Sequence, residues 1–168
     1  MAHTYRLELL PTEEGRQFYS SVLNRSNENA GFDLFVVKEY SPATTDFNAK
    51  AQLLDLGTSA RMIRMNPDGS EQDVHYWLCP RSSIIKTGFM MANSQGVIDK
   101  SYRGTLMGPI TVVNQGLFVK TMLAENHLKG DRYFQIVAPD MGHIASVMVV
   151  DSLSQTERGV GGFGSTGR

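Results

Sequence analysis

Turn residues punctuate this chain so densely that few of its apolar runs have room for a helix. Thr4 to Leu10 alternates and stops at Pro11, and Phe32 to Val37 and Gln52 to Leu56 follow as further short runs. Ala60 to Met65 and Asp73 to Leu78 flank Asn66-Pro67-Asp68-Gly69-Ser70, the composition of a tight hairpin turn. Gly96–Ile98, Gly104–Val113, Gly116–Met122, Tyr133–Ala138 and Ser146–Val150 continue the series as expected strands. One stretch reads as helical: Thr12 to Asn24, with Thr12 as its N-cap and Glu13 and Glu14 in the first turn. Many short strands with regular turns predict an all-β single domain, a barrel or a sandwich, and argue against a doubly wound α/β fold.

At 168 residues, 41% of them hydrophobic and 20% charged, the chain has the composition of an ordinary globular domain with a sizeable core. A formal net charge of −1 argues against broad nucleic-acid binding, which calls for a basic excess. Any anion site must then be local, built from a few arginines and backbone amides. Cys79 is the single cysteine, so no internal disulfide forms, and an intracellular compartment is the easier fit. No stretch reads as a signal peptide or reaches the roughly 20 apolar residues of a membrane helix. A cytosolic or nuclear protein with no membrane association is the expectation.

Metal and nucleophile chemistry find little support in residue spacing. His3, His75, His127 and His143 stand far apart, without the i, i+4 or paired-cysteine companions of a ligand set. Cys79, ahead of Pro80, reads as a small core residue rather than a nucleophile. Three segments are richer. Pro80-Arg81-Ser82-Ser83-Ile84-Ile85-Lys86 ends a strand with a guanidinium, two hydroxyls and an ammonium, where the start of a helix would face an anion. Gly96-Val97-Ile98-Asp99-Lys100-Ser101-Tyr102-Arg103-Gly104 has the form of a strand and a tight turn. It presents a carboxylate able to take a proton from water and a ring able to lie beneath a sugar. The last residues, from Arg158 through Gly159-Val160-Gly161-Gly162-Phe163-Gly164-Ser165-Thr166-Gly167-Arg168, surround one aromatic ring with five glycines, two hydroxyls and two arginines. Interior glycines each cost a helix about 1 kcal/mol relative to alanine, so this tail instead offers backbone N–H groups and guanidinium charge to phosphates.

Read together and in order, these segments resemble the five motifs of the trimeric dUTPase family. Gly31-Phe32-Asp33-Leu34 resembles the first, Pro80-Arg81-Ser82-Ser83 the second, Gly96 to Gly104 the third, Gly130-Asp131-Arg132-Tyr133-Phe134-Gln135 the fourth and Arg158 to Gly167 the fifth. The resemblance implies a jelly-roll β-barrel over 1–150, with a glycine-rich arm over 151–168. It also implies a homotrimer in which each arm closes over a neighbour's active site. The implied reaction is hydrolysis of dUTP to dUMP and pyrophosphate with Mg²⁺ held mainly by the triphosphate, Asp33 contributing through water at most. Asp99 would activate the water, Tyr102 would pack on the deoxyribose, and Gly96, Val97, Ile98 and Asn93 would meet the uracil. Arg81, Ser82, Ser83 and Gln135 would bind phosphate oxygens. Arg158, Gly164, Ser165 and Thr166 would close on the β- and γ-phosphates with Phe163 over the base.

Some positions depart from the commonest pattern: Thr105 after Arg103-Gly104, Lys86 one place early, bulky Tyr133-Phe134, and the longer segment before Gly31. These features resemble the variant form of large DNA viruses. The related dCTP deaminases share fold and trimer but call for a glutamate after the third motif, and Leu106 to Asn114 holds no acidic residue. A catalytically idle nucleotide-binding homologue and a structural protein using only the barrel are the other readings.

Overall fold

The computed structural model describes residues 2–20 and 25–162. Eleven strands, one five-residue 3₁₀ turn and one α-helix make up the described chain. Strands β1 (Thr4–Pro11), β4 (Thr58–Met65), β5 (Glu71–Val74) and β11 (Ile144–Val149) form one sheet in the order β11-β1-β4-β5. A second contains β2 (Phe32–Leu34), β6 (Tyr76–Pro80), β8 (Gly96–Ile98) and β10 (Phe134–Val137), in the order β2-β10-β6-β8. β3 (Gln52–Asp55), β7 (Phe89–Met91) and β9 (Met107–Val112) form the third, with β9 in the middle. The all-β class read from the sequence holds. Among the described residues no helix is long and apolar enough to cross a membrane.

The first strand expected from the sequence, Thr4 to Leu10, forms as β1. It pairs antiparallel with β4 along its whole length and parallel with β11 on its other side. Its alternation places Tyr5, Leu7 and Leu9 in the core, joined there by Leu34, Leu54, Met62, Leu78, Phe134 and Val147. The predicted hairpin forms between β4 and β5, with Asn66 N–H bonded to the Ser70 carbonyl.

Two local expectations are corrected. Gly116–Met122, read as a strand, is helix α1 (Gln115–Met122). The Asn114 side chain caps it by accepting from Leu117 N–H at 2.9 Å, and Phe118 and Met122, one turn apart, are the buried pair. Phe118 enters an aromatic cluster with Phe47 and Phe89 at 5.2 and 5.9 Å, a tertiary sink for apolar side chains that strand propensity does not foresee. The helix expected from Thr12 is instead a run of turns over Glu13–Phe18, and 21–24 lie outside the described residues. Thr12 still caps, accepting from Gly15 N–H at 3.1 Å, but the chain then bends to bury Tyr19. The Tyr19 hydroxyl donates to Leu56 O at 2.6 Å and accepts from Phe35 N–H at 2.9 Å.

Tyr19→Phe keeps the ring and strands both partners in the interior, where an unsatisfied buried group costs about 1–3 kcal/mol. The variant is expected to unfold at clearly lower urea concentration with an unchanged slope. An unchanged midpoint would remove the hydroxyl from this role.

Candidate active site

Strand β6 positions both clusters of predicted residues because it pairs on both sides. Its ladder with β8 sets Leu78 opposite Gly96 and Tyr76 opposite Ile98, and its ladder with β10 sets Cys79 opposite Gln135. β8 ends its sheet, so one row of its backbone N–H and C=O groups is left without a strand partner.

The first cluster forms a pocket of about 240 Å³ beside β8, lined by Asn93, Gly96, Val97, Ile98, Asp99, Tyr102 and Arg158, with Leu78, Leu106 and Pro109 beneath. After β8 the chain turns, and Tyr102 N–H closes the turn on Asp99 O at 3.0 Å. Burial pushes the Tyr102 hydroxyl above its ordinary pKa, against the pull of Arg158, so the ring stays neutral. That hydroxyl donates to Thr105 O at 3.0 Å. Gly104 is required beneath it, since a Cβ there would stand 2.3 Å from the hydroxyl oxygen. Asp99 remains 46% exposed, and its Oδ2 is paired with the Arg158 guanidinium. Arg158 also lies over the Tyr102 ring, 5.3 Å from its centre.

The described part of the arm reaches this pocket along its own chain. Gly159 bridges to Tyr102, Arg103 N–H bonds Gly159 O at 2.6 Å, and Gly162 borders the pocket. Arg103 ties turn to arm. Its side chain, 9% exposed, donates to Lys100 O at 2.8 Å, Ser154 O at 2.7 Å and the Ser154 hydroxyl at 3.0 Å. Phe163, Gly164, Ser165 and Thr166, expected to complete the arm's contacts, lie outside the described residues.

The second cluster gathers at the other end of the same sheet. Asp33, Arg81, Ser82 and Gln135 border a broad cleft with Arg25, Gly31 and Arg132. Asp33 holds two guanidinium groups, Arg81 at 2.8 Å and Arg132 at 3.3 Å. Arg81 also donates to Arg132 O at 2.8 Å, which fixes the three segments to one another. Gln135 donates to Pro80 O at 3.3 Å and packs so close to Gly31 that a Cβ there would lie 1.8 Å from its amide oxygen. The Pro80–Lys86 segment carries only a 3₁₀ turn (Ser82–Lys86), starting at Arg81 without a side-chain cap, and Ser83 stands 3.5 Å from Arg81.

The sheet order separates the two clusters. Asp33 on β2 and the Gly96–Ile98 strand occupy opposite edges of a four-stranded sheet, three strand spacings or about 14 Å apart. Within one chain the two clusters border separate pockets with no lining residue in common. As for a metal, Asp33 already faces two arginines, and no group of three or more His, Cys, Asp or Glu side chains among the described residues could cage an ion.

Three contributors escaped the sequence reading. Arg132 sits in the fourth segment, and a guanidinium directly before an aromatic pair was a signal available there. Arg103 looked like part of a turn, yet it is the knot between turn and arm. His75 gave no signal, because its partner, Lys100 N–H at 3.0 Å, is 25 positions along the chain.

A sequence model of the dUTPase family matches residues 19–167. The chain is similar to the deoxyuridine 5'-triphosphate nucleotidohydrolase of Escherichia phage T5, with 34% identity over 149 residues that span 84% of this chain and 88% of the relative. The enzyme of that name from Picosynechococcus sp. is 32% identical over 83% of this chain and 84% of its own. Among solved structures, a mutant dUTPase of Staphylococcus bacteriophage 80alpha with dUpNHpp shares the fold at a TM-score of 0.50 and 19% identity, over 96% of this chain and 98% of that one. Likeness of this extent to complete relatives, carried by a chain whose motif residues sort into two ordered clusters, makes this protein a member of the dUTPase family.

Proposed function

We propose that the protein hydrolyses dUTP to dUMP and pyrophosphate, with Asp99 as the base. The observation that carries this reading is the pocket beside β8: a carboxylate, a neutral tyrosine face and a free strand edge meet there. Each suits one part of a deoxyuridine nucleotide. Backbone groups of Gly96–Ile98, with Asn93 nearby, can pair with the uracil edge, and the Tyr102 ring can underlie the deoxyribose where a 2′-hydroxyl would crowd it. Asp99 takes a proton from the attacking water as the water oxygen bonds to the α-phosphorus. The bond from that phosphorus to the bridging oxygen breaks, and the electron pair leaves with pyrophosphate.

Arg81, Ser82, Ser83 and Gln135, with Arg132, supply donors and positive charge for the phosphate chain. Mg²⁺ held on the triphosphate would offset charge on the phosphate oxygens, with Asp33 contributing through water at most. The separate linings of the two clusters within one chain favour completion between subunits, with the β8 pocket of one chain facing the arginine cleft of another in a homotrimer. The arm then supplies Arg158, Phe163, Gly164, Ser165 and Thr166 to close the site. Exchange of arms between subunits requires the strip to Gly162 to peel away from Tyr102 and Arg103. Arg158 would release Asp99 in that step and turn to the phosphates.

Pyrophosphate release with Mg²⁺ is expected from dUTP and not from dCTP, dTTP or UTP. Asp99→Asn is expected to bind dUTP nearly as well while hydrolysis falls at least about 10²-fold, the lower end of a general base's contribution. Full activity in the variant would take the base role from Asp99, and no release by the wild type would sink the reaction. The shared site has its own test. Asp99→Asn and Arg81→Ala chains, each nearly inactive alone, are expected to regain activity when mixed and refolded together, because some sites then combine two intact halves. No recovery on mixing would place both halves in one chain's service and overturn the shared arrangement.

A further inference from the structure

The base is only as good as the turn that aims it, and one side chain outside the five motifs holds that turn. His75 occupies the one-residue break between β5 and β6, which brings its ring beside the turn after β8. Its Nδ1 accepts the Lys100 N–H at 3.0 Å and stands 3.6 Å from Asp99 Oδ1. The Lys100 carbonyl is gripped from the other side by Arg103 at 2.8 Å, so both backbone groups of the residue next to Asp99 are pinned by side chains. The two carboxylate oxygens are thereby sorted. Oδ2 meets Arg158, while Oδ1 receives no hydrogen bond among the described residues and faces an imidazole nitrogen whose lone pair is already engaged.

We propose that His75 is a positioning residue for Asp99: by accepting the Lys100 N–H it sets the turn so that Oδ1 stays open to the attacking water. The proposal rests on Asp99 as the base. His75 acts through Asp99 and lines neither the β8 pocket nor the arginine cleft, so its loss acts on turnover and leaves substrate affinity alone. A catalytic group displaced by about 1 Å can lose about 10²-fold in rate, which sets the upper end of the effect. The ring is 60% exposed, so its removal opens no cavity in the core.

The test compares His75→Ala with His75→Asn, whose amide oxygen can take the place of Nδ1 as acceptor. Alanine is expected to lower kcat for dUTP by about 10- to 10²-fold at unchanged KM, and asparagine to restore most of it. In an Asp99→Asn background His75→Ala should cost nothing further, the non-additivity of residues acting through one group. Exchange of the Lys100 amide, read by NMR without substrate, should be slow in the wild type and in His75→Asn and fast in His75→Ala. Equal exchange in wild type and His75→Ala, or a kcat loss that asparagine does not rescue, would overturn the proposal. A wild type that fails to hydrolyse dUTP would remove the reaction itself, and the exchange comparison would still decide whether His75 holds the turn.

Discussion

The pairing of β6 with two neighbours at once is the constraint on which the rest of the site depends. Its hydrogen bonds to β8 on one side and β10 on the other set the register of both. A one-residue slip in either ladder would turn a strand's side chains to the opposite face, carrying Gln135 away from Pro80 or Ile98 away from the pocket. Burial enforces that register: Tyr76, Leu78, Phe134 and Ile136 all point into the core. Packing energy spent on the barrel thus also fixes the geometry of two polar clusters that contribute little to stability.

Each cluster holds its charges against each other. Asp99 is paired with Arg158 and Asp33 with Arg81 and Arg132, all at partly exposed positions. Exposed ion pairs are worth about 0–1 kcal/mol each, too little to hold these arginines against a stronger anionic partner. The arrangement keeps guanidinium groups ordered in a chain of net charge −1 without trapping them. Arg103 is different: nearly buried and bonded to three backbone carbonyls, it joins the turn to the start of the arm.

Legibility in the sequence followed the range of the interactions. The Asn66–Ser70 hairpin and the Asp99–Tyr102 turn were readable because their bonds close within a few residues. The carboxylate, tyrosine and arginine of the β8 pocket were readable as motif members. Gly116–Met122 was misread because Val119 and the apolar residues around it fit a strand, while the decisive features were the Asn114 cap and an aromatic cluster drawn from Phe47 and Phe89. The Thr12 helix failed for a similar reason. Its capping residue was right, but burying Tyr19 against Phe35 and Leu56 outweighed helix continuation.

By itself the sequence determined the chemical inventory and the fold class: short strands bounded by turns, one carboxylate on a hairpin, a tyrosine three places on, and arginines before and after. Those are matters of residue type and local spacing. Only the tertiary structure decided that the inventory divides between two pockets, and that Arg158 rests on Asp99 along its own chain. It alone also decided that His75 and Arg103 grip the turn between them. Strand order and long-range hydrogen bonds made those choices, and neither leaves a periodic mark in the chain.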